Sequence, residues 1–265
     1  MEKLLFVLPS SLEEALMAST VLANYLITRM VTGRDSNNVT VVCPSKAVSF
    51  VKQSWYWANV VEEATQEQIE EAEMTFEFDT RGSYLMAKEV RKSIGDCFAI
   101  QLGVGLMQTL PAILVEDTPV DPHRILVASR HQDDGRDLTW FWPYEQEFCN
   151  LLEEEDVPYS WLRPDAEWDE MRQAVGRAEV VVGVRGTPTL MAAGANKVLM
   201  ELSADYNGHS EWFRKSKASN YRLMYGDLNN MTAEFVWKQT KLLVAKVFGK
   251  RETEAQTSEG SYVRP

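Results

Sequence analysis

The sequence lacks any apolar run close to the roughly 20 residues that are needed to cross a bilayer. Its amino terminus also lacks the basic and apolar regions of a signal peptide, since Glu2 and Lys3 come directly before a short apolar run. Its three cysteines, Cys43, Cys97 and Cys149, are far apart and form no C-x-x-C pair. These absences predict a reduced, cytoplasmic chain without disulfides or a structural zinc site.

Positive charge is scarce. The chain has 27 Lys and Arg against 39 Asp and Glu, which gives a formal net charge of −12. A general binder of the phosphate backbone needs local positive charge, so this total argues against one without excluding a basic groove in an acidic chain. The three histidines, His123, His131 and His209, are too scattered to form a metal-site pattern.

Common nucleotide and metal motifs are absent as well. The sequence has no G-x-G-x-x-G fingerprint and no Walker A motif, which argues against dinucleotide oxidoreductases and P-loop enzymes. It also has no Asp-x-Asp, the usual mark of metal-dependent sugar transfer. We therefore expect neither a metal ion nor another cofactor.

Strand-like apolar runs alternate with amphipathic helical runs along most of the chain, which is typical of parallel sheets with helical crossovers. The strand candidates are KLLFVL, NVTVVC, NVVEE, TFEFD and CFAIQLG in the first half, and HRILVAS, PYSWL, EVVVGV, KVLMEL and YRLMY in the second. Between the halves, VEDTPVDPH carries acids and two prolines and is predicted to be a linker. The sequence thus predicts an α/β protein with two Rossmann-like domains facing across a cleft, residues 1–120 and 121–250, and a flexible tail, 251–265.

The segment LPSSLEEALMASTVL joins the first predicted strand to a predicted helix. Ser10-x-x-Glu13 and Ser11-x-x-Glu14 are two overlapping capping boxes, and only one of them can be the cap. If Ser10 caps the helix, Glu13 folds back onto the backbone and Glu14 remains available at the helix start. The spacing alone favours the simpler interpretation, in which both acids serve only to interact with the positive end of the helix dipole.

The segment VVVGVRGTPTLMAAG has the residues of a diphosphate-binding site. A buried strand ends there at Gly186-Thr187-Pro188-Thr189, and proline suits the first turn of the helix that follows. Backbone N–H groups at a helix start and threonine hydroxyls suit phosphate oxygens, and Arg185 adds a planar cation. An ordinary helix begun by a proline is the alternative interpretation.

Polar residues follow two further predicted strands. Asp79 and Arg81 come after TFEF, at the edge of the sheet where α/β proteins bind ligands, although Asp79 could equally cap the next helix. Arg130 and Arg136 come after HRILVAS, where the chain forms either a phosphate-facing loop or a solvated polar one.

Several of these segments resemble the lipopolysaccharide heptosyltransferases, a family of glycosyltransferases. LPSSLEEALMASTVL is similar to the family's amino-terminal motif, a strand followed by Ser-Ser-(Leu/Met)-Gly-Asp and an apolar helix, with Glu13 at the glycine and Glu14 at the aspartate. FEFDTRGSYLMAKEVRKSIG resembles its Asp-x-x-Gly segment, and RDLTWFWPYEQEFCNLLEEEDVPYSWL resembles its Trp-Pro segment. AEVVVGVRGTPTLMAAGANKVLMEL resembles the donor-site segment, with Arg185 at the family's aspartate and Leu190 at its histidine.

The resemblance implies a GT-B glycosyltransferase that moves a sugar from a nucleotide-diphosphate sugar to an acceptor hydroxyl. It favours the register in which Ser10 and Glu13 cap the helix and Glu14 is the catalytic base. It also implies that the acceptor is a glycan, a lipid-linked saccharide or a hydroxymethylated DNA base, the last as in phage enzymes. The residues expected at the donor are Arg136, Arg185, Gly186, Thr187 and Thr189. The residues expected at the acceptor are Ser11, Glu13, Asp79, Arg81 and Arg130.

Two other functions stay open. The departures at Arg185 and Leu190 favour a catalytically inactive GT-B-like protein that binds a nucleotide or a sugar. A sugar-nucleotide epimerase of the same architecture is a third hypothesis. It is weaker, because an epimerase should need further acid and base residues that the sequence does not offer.

Overall fold

The computed structural model describes residues 2–33, 38–54, 58–90, 94–104, 124–132, 141–204 and 220–259. Its strands are β1 (Leu4–Val7), β2 (Val39–Val42), β3 (Asn59–Val61), β4 (Met74–Glu77), β5 (Ile125–Ala128), β6 (Tyr159–Leu162), β7 (Val180–Val184), β8 (Val198–Ser203) and β9 (Tyr221–Tyr225). Its α-helices are α1 (Leu12–Val31), α2 (Ser45–Ser54), α3 (Gln66–Glu71), α4 (Thr80–Val90), α5 (Ile94–Gln101), α6 (Glu145–Glu154), α7 (Trp168–Arg177), α8 (Thr187–Gly194) and α9 (Ala233–Glu259).

The first sheet has four parallel strands in the order β3-β2-β1-β4. One of its two inner strands is β1, in which Leu4 pairs with Val39 of β2 on one side and with Met74 of β4 on the other. The first three residues of β1 are buried. A parallel strand covered on both faces is expected to be apolar throughout, which explains why LLFV does not alternate with polar residues.

The second sheet has five parallel strands in the order β6-β5-β7-β8-β9. Its strand β7, with the sequence VVVGV, is buried at every position. A Cβ atom at Gly183 would lie 2.3 Å from the backbone oxygen of Ala128. Only glycine therefore permits the observed close approach of β5 and β7.

The apolar core is continuous between the two sheets. One buried cluster contains Phe6 of β1, Leu126 of β5 and Leu190 of α8. Helix α1 contacts α8, and α2 contacts α7, where the rings of Phe50 and Trp168 are 4.9 Å apart. A second buried cluster lies between the second sheet and helices α6 and α9.

Every predicted strand is a strand except CFAIQLG, for which the prediction was wrong. That segment belongs to α5, which packs against α1 and α4. Its residues from Ile94 to Ala99 are all buried. Six consecutive buried residues show no polar face, so this short apolar run cannot be told from a buried strand by periodicity.

The predicted domain boundaries remain predictions, although the strands of the two sheets fall separately within residues 4–77 and 125–225. The predicted linker VEDTPVDPH lies outside the described residues. Helix α9 continues to Glu259, so the first part of the predicted tail, residues 251–259, is helical. Among the described helices, none is both long enough and apolar enough to span a membrane.

Candidate functional site

The strand orders place those predicted site residues that the structure describes at two topological switch points. In the first sheet this point lies between β1 and β4, and in the second it lies between β5 and β7. Open α/β sheets bind ligands beyond the carboxyl ends of the strands at such points. The start of α1, the turn before α4, the segment after β5 and the turn between β7 and α8 all lie at these ends.

Helix α1 begins with Ser11 as its cap. The Ser11 hydroxyl oxygen accepts a hydrogen bond from the backbone N–H of Glu14 at 3.3 Å, and Ser11 has the extended backbone of a cap residue. The prediction that Ser10 caps and that Glu13 folds back onto the backbone was therefore wrong. Ser10 is exposed, whereas Glu13 and Glu14 are each only 3% exposed.

Glu13 instead forms a buried ion pair with Arg185 of the second sheet. The Nε and Nη2 atoms of Arg185 each donate to Glu13 Oε1 at 3.2 Å. Both side chains are nearly inaccessible, with 3% and 4% of their surface exposed. The pair thus joins the first turn of α1 directly to the turn that follows β7.

Further charged and polar groups surround Arg185. Burial lowers the pKa of Arg185, but Glu13, Tyr84 and Glu201 together raise the pKa above its ordinary value, so the guanidinium is charged. Glu201 lies on β8 and is fully buried, and its Oε2 accepts a hydrogen bond from the Tyr221 hydroxyl at 3.1 Å. The interior between the two sheets therefore contains a network of charges.

The connection from β7 into the first turn of α8 is also shielded from solvent. Gly186, Thr187, Pro188 and Thr189 are all buried, and both threonines have no exposed surface. Thr189 Oγ1 accepts from the Gly186 N–H at 3.0 Å and donates to the Gly186 carbonyl at 2.9 Å. Proline stands in the first turn of α8, as predicted, and the Thr189 hydroxyl holds the start of the helix.

Asp79 caps helix α4. Its Oδ1 accepts from the backbone N–H of Gly82 at 2.8 Å, and a Cβ atom at that glycine would lie 2.1 Å from Asp79 Oδ2. Gln101 of α5 holds the same turn, because its Nε2 donates to the Asp79 carbonyl at 2.8 Å and to Ser83 Oγ at 2.7 Å. The Asp-x-x-Gly pattern therefore has a structural explanation, independent of any acceptor contact.

The remaining predicted residues are spread along the same edges. Arg81 is exposed at the start of α4, and Arg130 is partly buried after β5. The neighbouring His131 is 2% exposed, and its Nε2 is hydrogen-bonded to the Ala166 carbonyl at 2.9 Å. Arg136 lies outside the described residues.

Three residues that make these contacts, Glu201, Tyr221 and Gln101, were not predicted from the sequence. For Glu201 a signal was present, because a glutamate inside the apolar run KVLMEL must either leave the strand or be paired in the interior. The other two gave no local signal, since each contacts residues that are distant along the chain.

Solved structures match this chain, whereas no protein-family model and no curated protein sequence matches it. The E. coli heptosyltransferase WaaC with ADP aligns over 91% of this chain and 99% of its own, with a TM-score of 0.57 and 11% identity. The E. coli ADP-heptose LPS heptosyltransferase II aligns over 92% and 99%, with a TM-score of 0.52 and 12% identity. This chain has the GT-B fold. At such identities the likeness establishes the fold and leaves the activity to be proposed.

A third match corrects the expectation about metals. TibC, an iron-containing dodecameric glycosyltransferase from enterotoxigenic E. coli, aligns over 77% of this chain with a TM-score of 0.56 and 10% identity. The match spans 58% of the TibC chain. The expectation that no metal takes part rested on the absence of Asp-x-Asp. It was wrong as an inference from that absence, because a glycosyltransferase with this fold contains iron. Within the described ranges, no group of three or more His, Cys, Asp or Glu residues could hold a metal ion, so no reaction step is assigned to one.

Proposed function

We propose that the chain is a glycosyltransferase that moves a sugar from a nucleotide-diphosphate sugar to an acceptor hydroxyl. The observation that carries the proposal is the contact of two carboxyl-end segments, in which the start of α1 meets the turn after β7 through Glu13 and Arg185. A carboxylate base at the first segment and a diphosphate at the second would then share one site. ADP-heptose is the first donor to test, because WaaC and TibC have been solved with ADP and ADP-D-β-D-heptose respectively.

Glu14 is the proposed base. Its carboxylate takes the proton of the acceptor hydroxyl while the hydroxyl oxygen bonds to the anomeric carbon of the donor sugar. The bond between that carbon and the diphosphate oxygen breaks through an oxocarbenium-like state, and the nucleoside diphosphate leaves. Glu14 then releases its proton to water. Its place in the first turn of α1 supports this role, since the helix dipole favours a carboxylate there.

The segment from Gly186 to Thr189 is the proposed binding site of the leaving diphosphate. It comprises the cap residue and the first turn of helix α8, whose amino end stabilises negative charge. We propose that Arg136, which follows β5 in the sequence, supplies further positive charge as the nucleoside diphosphate departs, and that Arg130, after the same strand, contacts the acceptor. Arg81, exposed at the edge of the first sheet, is a second proposed contact for the acceptor.

A second function remains a candidate: binding of a nucleotide or sugar without transfer. The burial of Glu14 favours it, because an acceptor hydroxyl reaches this carboxylate only after a local rearrangement. Leu190 favours it too, since it is fully buried at the position of the family's histidine.

The experiment is an assay of nucleoside diphosphate release from ADP-heptose and a panel of other nucleotide sugars. Acceptors are lipopolysaccharide-type saccharides, lipid-linked saccharides and hydroxymethylated DNA. Glu14→Gln is compared with Glu154→Gln, a matched change at an exposed position of α6. We expect acceptor-dependent release that falls about 100-fold or more in Glu14→Gln and is unchanged in Glu154→Gln. Binding of ADP, measured by calorimetry, without any nucleoside diphosphate release would support the binding protein. The absence of both binding and release would overturn both proposals.

A further inference from the structure

Two departures from the heptosyltransferase pattern contact each other in this structure. Glu13 stands where the resemblance has glycine, and Arg185 stands where it has aspartate. The two side chains form the buried pair that joins α1 to the turn after β7. A new carboxylate at one position is thus matched by a new cation at the other.

The surroundings of Arg185 argue against direct contact with a donor diphosphate. Its side chain is 3% exposed, and two of its nitrogens point at one oxygen of Glu13. A diphosphate that took this guanidinium would leave the Glu13 carboxylate in the interior without its cation. Such separation of a buried pair is strongly unfavourable.

The same contact restrains the first turn of α1. Glu13 is followed directly by Glu14, and the backbone N–H of Glu14 is held by the Ser11 cap. With Ser11 fixed on one side and the Glu13 side chain fixed by Arg185 on the other, the turn has little freedom to rotate. The direction of the Glu14 carboxylate therefore depends on the ion pair.

We propose that Arg185 is a positioning residue that holds Glu13, and through it the first turn of α1 with Glu14, and that it does not bind the donor. The kinetic part of this inference rests on the proposed function. Its structural part, the restraint on the turn, does not.

The kinetic experiment compares Arg185→Gln and Glu13→Gln with the double variant that carries both changes. Two amides in place of the ion pair leave no unpaired charge and can hydrogen-bond to each other. We expect each single variant to lower kcat by about tenfold or more with the donor KM within about threefold, and the double variant to recover most of kcat. A donor KM that rises about tenfold or more in Arg185→Gln, and stays raised in the double variant, would overturn the proposal.

A second measurement needs no turnover. Hydrogen exchange of the backbone amides in the first turn of α1 is followed in the full-length wild type and the same three variants, without ligand. We expect exchange to be about tenfold faster or more in the single variants and to return towards the wild-type rate in the double variant. Unchanged exchange in both single variants would overturn the proposal.

The kinetic and hydrogen-exchange experiments distinguish failure of the proposed function from failure of the proposed restraint by Arg185. If the wild type releases no nucleoside diphosphate with any donor, the proposed function fails while hydrogen exchange still decides whether Arg185 restrains the turn. If a single variant does not fold, the charge-reversed pair Glu13→Arg with Arg185→Glu replaces it. Recovery of folding in that pair would support the contact as the source of the restraint, and no recovery would count against it.

Discussion

Glu13 and Arg185 are 172 positions apart in the sequence and form one ion pair in the interior, in which Arg185 Nε and Nη2 both lie 3.2 Å from Glu13 Oε1. The pair links helix α1, which follows an inner strand of the first sheet, to the turn after β7 in the second. Neither charge would be tolerated alone at this depth. Two of the positions at which the sequence departs from the heptosyltransferase pattern that it resembles are thus in direct contact.

Removal of either partner should destabilise the protein strongly. We expect Arg185→Met or Glu13→Leu to lower the free energy of unfolding by about 3–5 kcal/mol, because each leaves a buried charge without its partner. The double variant should lose clearly less than the sum of the two. Urea unfolding followed by circular dichroism measures all three.

The matched control for this prediction is an exposed ion pair. Lys3 and Glu71 are 43% and 49% exposed, so Glu71→Gln should change the free energy of unfolding by less than about 1 kcal/mol. Additive effects of the two buried substitutions would contradict the coupling.

The cap of α4 gives a second prediction. A methyl group at Gly82 would occupy the position of Asp79 Oδ2, so Gly82→Ala must displace the capping carboxylate. We expect Gly82→Ala and Asp79→Ala each to cost about 1 kcal/mol of stability, with little further loss in the double variant. Asp79→Asn keeps the capping oxygen and should be close to neutral. A large cost of Asp79→Asn would show that its charge has another role.

Much of the fold could be predicted from the sequence because the chain repeats a simple pattern. The strand β7, for instance, is a short apolar run bounded by turn residues. Such runs, when helical segments separate them, are typical of buried parallel strands. The same rule failed for α5, since its buried residues present no polar face to reveal the helical period. The pattern predicts where elements lie more reliably than it separates a buried helix from a buried strand.

The candidate site was harder to predict than the fold. The four strand ends could be inferred, and Asp79 was correctly recognised as a possible cap. The choice of Ser10 over Ser11 as the cap was wrong, because the two capping boxes are equivalent in spacing and the spacing alone cannot separate them. The partner of Glu13 lies in the other half of the chain, so no local pattern could reveal it. Side-chain pairing across the two sheets depends on their packing, which a single sequence does not specify.

The cysteines are predicted to be unreactive in the folded protein. Burial raises the pKa of the Cys43 thiol to about 12 and those of Cys97 and Cys149 to about 11. At pH 8 almost no thiolate is present at any of them, and all three are also shielded from reagents. A disulfide reagent should therefore modify none of them until urea unfolds the chain. Ser10→Cys, at an exposed position, is the control and should react at once; equally fast reaction of a native cysteine would contradict the burial.

The buried carboxylate on β8 gives the last prediction. Glu201 is fully buried, accepts a hydrogen bond from the Tyr221 hydroxyl and contributes to the raised pKa of Arg185. Tyr221→Phe removes a donor to a charged acceptor, so we expect a loss of about 1.5–3 kcal/mol in the free energy of unfolding.

The comparison variant is Tyr144→Phe, since the Tyr144 hydroxyl donates to the exposed, neutral carbonyl of Asn229 at 3.0 Å. Tyr144→Phe should lower the free energy of unfolding by less, about 0.5–1.5 kcal/mol. Its acceptor is neutral, and water can replace the lost hydroxyl as the hydrogen-bond donor. Combining Tyr221→Phe with Glu201→Gln tests whether the charge is the cause. The tyrosine substitution should cost less in that background, and an undiminished cost would mean that Tyr221 acts through the packing of its ring.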